Sequence, residues 1–164
     1  MIHHVSISAR QPRHVAEVLA EIMHGNCYPF PGQIVDSFMA VSGDEHGTMV
    51  EVYPEDITLS PGQGEAQVTG LRGQPLPTTS PFHFLLSVPA SREEVERIGA
   101  REGWRTKLFG RGPAGQKPFF HVIEFWVENR LMIEVAPADM IGEYTNLMRP
   151  EAVRSRFPTA APAH

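Results

Sequence analysis

Two histidines and two glutamates hold matching places in two similar stretches of this chain. His4 lies in "HHVSISA" and His83 in "FHFLLSV", while Glu51 lies in "VEVYP" and Glu134 in "LMIEVAP". All four stretches read as strands, whose side chains point alternately to opposite faces. His4 then shares a face with Ser6 and Ser8, and His83 with Leu85 and Ser87. Glu51 goes with Met49 and Tyr53, and Glu134 with Met132 and Ala136. In every case the branched or large apolar residues take the other face, the one suited to packing under helices. The remaining faces would line one concave surface with two imidazoles and two carboxylates. A buried carboxylate is costly unless paired or bound to metal, and one divalent cation would serve both. Mixed nitrogen and oxygen donors suit Zn, Ni, Co, Mn or Fe(II). Cys27 is the only cysteine, which excludes an intrachain disulfide and a thiolate-rich zinc site.

The elements that would position these groups come in two copies. In residues 1–58 the strand "HHVSISA" is followed by "QPRHVAEVLAEIM", with Val15, Val18, Leu19 and Ile22 at helical spacing. A hairpin, "SFMAVSG" and "GTMVEVYP", completes this half. Residues 81–137 repeat the order. "FHFLLSV" precedes "SREEVERIGAREGW", where Ser91 and Glu94 form a capping-box pattern and Val95 and Ile98 are helically spaced. A hairpin, "PFFHVIEFWV" and "RLMIEVAP", follows with Glu128-Asn129 at its turn. Each half presents one bare sheet face, so the halves need each other for a core. Residues 59–80, rich in Gly, Pro, Thr and Gln, read as a linker. "GRGPAGQKP" reads as a loop carrying Arg111 and Lys117. Residues 138–164 are a C-terminal extension whose end, "RFPTAAPAH", is expected to fray.

The chain has 164 residues, a formal charge of −5 and a pI near 5.9. One compact domain is expected. With no basic stripe, nucleic acid is not an expected partner. No apolar run is long enough to span a membrane, and the start lacks a signal-peptide pattern. A cytoplasmic protein is the expectation.

The four strand motifs, in this order and spacing, resemble the vicinal oxygen chelate superfamily. That is the fold of glyoxalase I, fosfomycin-resistance proteins, methylmalonyl-CoA epimerase and type I extradiol dioxygenases. The likeness covers about Ile2 to Pro137. It implies an α+β, glyoxalase-like fold: two βαβββ modules whose mixed sheet curls into a cup around a divalent metal. It makes His4, Glu51, His83 and Glu134 the ligands. It also implies a metal-dependent lyase or isomerase that stabilises an enolate-like anion of a small oxygenated substrate. Either Glu134 or Glu51 would be the general base. An Fe(II) extradiol-type dioxygenase using His4, His83 and Glu134 is the alternative, and a metal-free drug or antibiotic binder is another. Arg111, Lys117 and His121 are candidate substrate-binding residues. The turn Glu128-Asn129-Arg130 departs from the Asp-Pro-Asp-Gly-like turn of many members. A homodimer is expected, and the long linker allows modules to pair within or between chains.

Overall fold

A computed structural model describes residues 2–30, 34–60, 69–73, 82–113 and 115–156. The first module runs β1 (His4–Ala9), α1 (Pro12–Ile22), β2 (Asn26–Pro29), β3 (Phe38–Val41) and β4 (Met49–Pro54). A small hairpin follows, β5 (Ile57–Ser60) with β6 (Thr69–Arg72). The second module is β7 (Phe84–Val88), α2 (Arg92–Glu102), β8 (Thr106–Arg111), β9 (Phe120–Val127) and β10 (Leu131–Pro137). Two short helices, α3 (Ile141–Leu147) and α4 (Pro150–Arg156), end the described chain. Each module folds into a four-stranded mixed sheet, ordered β1-β4-β3-β2 and β7-β10-β9-β8. The outer pairs β1–β4 and β7–β10 are parallel, and the others are antiparallel.

This is the expected α+β fold of two βαβββ modules. The hairpin β5–β6 was not expected, because β6 falls inside the Gly- and Pro-rich stretch between the modules. Residues 61–68 and 74–80 of that stretch, and residues 157–164 of the C-terminal end, lie outside the described residues. Gly110 and Arg111 also belong to β8 rather than to the loop that follows. Gly110 is not a loop signal: a Cβ there would meet the Pro118 ring at 2.3 Å, so glycine lets that ring pack on the strand.

Both helices form for the reasons their sequences suggest. The apolar stripe of α1, Val15, Val18, Leu19 and Ile22, is buried. The N-terminus of α2 carries the full capping box between Ser91 and Glu94, and Gly103 ends the helix in the left-handed conformation. Ile7, Val50 and Val52 of the first sheet join Ile123, Phe125, Ile133 and Val135 of the second in one hydrophobic core that includes both helices. The opposite faces of the sheets, which carry His4, Glu51 and Glu134, therefore look away from this shared core.

Polar groups also tie the modules together. No side chain of its own caps α1. Instead the Glu128 carboxylate, from the β9–β10 turn, accepts from the backbone N–H groups of Arg10 and Gln11 at 2.8 and 2.9 Å. Asn129 accepts from the Arg105 N–H and donates to the Gly103 carbonyl, and Arg130 pairs with Glu55. Glu128 and Arg130 of this turn thus dock on the first module, while Asn129 fixes the turn within the second. Glu128→Ala is expected to lower stability by about 1 kcal/mol, the usual cost of losing a helix cap. A denaturation midpoint unchanged from wild type would refute that.

Three ion pairs cross between the first and second helical segments: His14–Glu102 at 2.6 Å, Arg101–Glu21 at 2.7 Å and His24–Glu94 at 3.4 Å. No partner for His14 or His24 was apparent in the sequence. Burial raises the Glu102 pKa, but Arg101 and His14 outweigh it and the net shift is downward. The Arg101 hydrogen bond lowers that of Glu21, and the Ser91 amide lowers that of Glu94. A carboxyl whose folded pKa is depressed stabilises the fold above its ordinary value, here 4.5, and loses that contribution as pH falls through the folded value. Melting temperature is therefore expected to drop as pH is lowered below about 4.5. A flat profile across that range would contradict it.

Candidate metal centre

In the first module the parallel register of β1 and β4 sets Ser6 beside Glu51 and His4 beside Met49. Glu51 is 6% exposed. Its Oε2 accepts from the Ser6 hydroxyl and the Tyr53 hydroxyl, each at 2.8 Å. With Oε2 held by two neutral donors, Oε1 lies 3.8 Å from His4 Nε2. Burial and the bond to Glu51 push the Tyr53 hydroxyl pKa up to about 12, so it remains a donor. Phe30 packs edge-on against the Tyr53 ring, with centroids 5.8 Å apart.

The second module repeats the carboxylate in other company. Glu134 is 8% exposed and sits beside Leu85 of β7. The hydroxyls of Ser6 and Tyr53 have Leu85 and Ala136 as their counterparts here. Across β9, Glu134 faces Glu124, whose counterpart in the first module is Met39. Two carboxylates directly opposed on one sheet face repel. Arg111, from the end of β8, resolves this by donating from Nε to Glu134 Oε1 at 2.7 Å and from Nη2 to Glu124 Oε1 at 2.9 Å. Burial works against the guanidinium charge, but the two carboxylates outweigh it and its pKa is raised. Trp126 Nε1 donates to Glu124 Oε2 at 3.1 Å. His83 immediately precedes β7 and is exposed.

Of the sequence-derived candidates, His4 and Glu51 come together in one half and Glu134 occupies the corresponding place in the other. Among the described residues no three His, Cys, Asp or Glu side chains are grouped so that they could hold a metal ion. The donors suit a divalent ion as two half-sites rather than as one shell. Glu51 brings a charge of −1. Glu124, Glu134 and Arg111 together also bring −1. With neutral imidazoles the sum matches a divalent cation, because Arg111 offsets the extra carboxylate Glu124.

The candidate substrate residues have other partners. Arg111 is committed to two carboxylates. His121 Nδ1 and its backbone N–H both meet Glu143 of α3, at 2.9 and 2.8 Å. Lys117 is exposed. Glu124 was missed, although its alternation with Phe125 places it on the same face as Glu134. The C-terminal extension was likewise not expected near the site. In the structure α3 packs on β9, with Tyr144 edge-on to Phe120 at 5.2 Å. Val122 and Ala136, on the Glu134 face, are buried outside the shared core.

No family model matches the chain, and no curated protein does. Solved structures do. One is a glyoxylase/bleomycin resistance protein/dioxygenase domain from Frankia sp. EAN1pec, at 16% identity and TM-score 0.47, covering 82% of this chain and 94% of that one. Another is a lactoylglutathione lyase from Agrobacterium tumefaciens, at 16% identity and TM-score 0.45, covering 85% and 94%. The oxidase ChaP-H2 matches at 16% identity and TM-score 0.42, covering 82% and 91%. The strand order β1-β4-β3-β2, repeated as β7-β10-β9-β8, gives this chain the same paired βαβββ arrangement in both halves.

Proposed function

We propose that this chain is a divalent-metal-dependent lyase or isomerase acting on a small oxygenated substrate, with its metal site assembled between two copies. One observation carries the reading. Glu51 and Glu134 are the buried carboxylates among the described residues, and each lies on the face of its sheet turned away from the core. Burying a carboxylate is costly without a compensating partner; Arg111 offsets Glu134, while Glu51 has two hydroxyls and the nearby His4 imidazole, so a divalent cation is the one group that could draw on both. Because each site face looks away from the common core, His4 and Glu51 of one copy would meet His83 and Glu134 of the other. The outer strands β1 and β7 stand at the edges of their sheets and are the natural seam for such a dimer.

When bound, the metal would supply Lewis-acid polarisation of substrate oxygens and a fixed positive charge where an enolate-like anion develops. The chain does the rest. Ser6 and Tyr53 fix Oε2 of Glu51, so that Oε1 is the oxygen presented to the cup. Arg111 keeps Glu124 and Glu134 together without mutual repulsion. A proton taken from the substrate would go to a carboxylate oxygen of Glu51 or Glu134. The α3 helix packs on β9, with Tyr144 against Phe120. An Fe(II) dioxygenase is the weaker reading, because Glu51 would be a fourth donor where oxygen chemistry wants an open position.

Metal analysis of the purified protein is the test. About one divalent ion per chain is expected, and Glu134→Gln should lose it while the fold survives, since the change removes a charge and keeps the volume. A screen of 2-oxoaldehydes, catechols and acyl-CoA esters should find turnover only in the metal-loaded protein. Unchanged metal content and turnover in Glu134→Gln would end the proposal. Ligand uptake by a protein that binds no metal would favour a metal-free binder instead.

A further inference from the structure

We infer that Arg111 is an internal counter-ion that trades places with the metal at Glu134, and that Glu124 is where its charge rests when the metal is bound. This rests on the metal reading above and concerns the loading of that site. Three observations on module two carry it. Arg111 is a forked cation already divided between two acids, with one nitrogen on each. Glu124 is held independently by Trp126 Nε1, so it stays in place if Glu134 is withdrawn. Among the described residues, module one places neither a second carboxylate nor an arginine at its site; Glu51 Oε2 accepts from two neutral hydroxyls, and His4 stands 3.8 Å from Oε1. Among the described residues, compensation by a guanidinium is therefore built into the second half-site, where Leu85 and Ala136 stand in place of the hydroxyl donors Ser6 and Tyr53.

Without metal, the guanidinium satisfies both carboxylates and the fold does not bury an unpaired charge. With metal, Glu134 Oε1 is surrendered and Arg111 keeps its charge-assisted bond to Glu124. Arg111 is thus a positioning residue that sets metal affinity. It is not a group that touches the substrate.

The test measures Zn2+ affinity by competition with a chromophoric chelator in the wild type, Arg111→Gln, Glu124→Gln and the double variant. Arg111→Gln should bind Zn2+ about tenfold more tightly, the scale of one charge-assisted bond no longer competing. Its metal-free form should melt at a lower temperature, because Glu124 and Glu134 then face each other uncompensated. Glu124→Gln should bind about tenfold more weakly, since Arg111 then has only Glu134 to hold. In the double variant the Glu124→Gln effect should shrink to less than about twofold, because without Arg111 there is nothing for Glu124 to draw away. The inference is overturned if Arg111→Gln leaves affinity unchanged or weaker. It is overturned equally if the loss from Glu124→Gln persists in full without Arg111, since Glu124 would then act on the metal directly. A wild-type protein that takes up no Zn2+ at all would instead remove the metal reading on which this rests.

Discussion

Two chains that each hold no metal are expected to regain it when co-expressed. One carries His4→Ala with Glu51→Gln, and the other carries His83→Ala with Glu134→Gln. If each site takes one half from either copy, every homodimer of these variants has two broken sites. The heterodimer has one site with all four defects and one with none. Random association then restores about a quarter of the wild-type metal content. Pairing of both halves within one chain predicts none, because every chain would carry a damaged site. Metal analysis of the co-expressed sample, with each variant alone as control, separates these outcomes. Recovery at the level of the parents would sink the shared-site reading.

Phe125→Ala is expected to cost about 3–5 kcal/mol, a large share of the stability of a protein this size. Phe125 is 0% exposed, and its ring lies 5.5 Å from that of Trp104 in a T-shaped pair. It belongs to the core shared by both modules, so the cavity would be felt by both sheets. Cooperative loss of the whole fold at lower denaturant should follow, with no separate transition for one module. A cost below about 1 kcal/mol, or two resolved transitions, would show that the modules keep separate cores.

The sequence exposed some of this and hid the rest for physical reasons. A period of two on either side of Glu51 and Glu134 was enough to assign faces, and Val50, Val52, Ile133 and Val135 are buried as that alternation requires. Helix α2 declared its start through Ser91 and Glu94. Arg111 was placed in a loop because glycine and proline surround it. Gly110, however, accommodates Pro118 packed on a strand, which local composition does not distinguish from a turn. The pairs of His14 with Glu102 and of Arg101 with Glu21 join residues far apart in the chain, and no local pattern marks them. The same is true of Glu124, whose significance depends on a strand register that only the folded sheet defines.

The carboxylate that caps α1 arrives late. Arg10 and Gln11 leave the ribosome long before Glu128, yet the two amides that lead into the helix are bound by that distant side chain. Glu128 and Asn129 both adopt positive φ, 50° and 56°, as a tight hairpin turn of this kind demands. The first half of the chain therefore gains this cap, worth about 1 kcal/mol, only once the second has formed its hairpin. Such long-range closure slows folding and leaves the early half with exposed apolar surface during synthesis. Although the protein looks like a doubled unit, its first copy reaches its full set of contacts only after the second has been made.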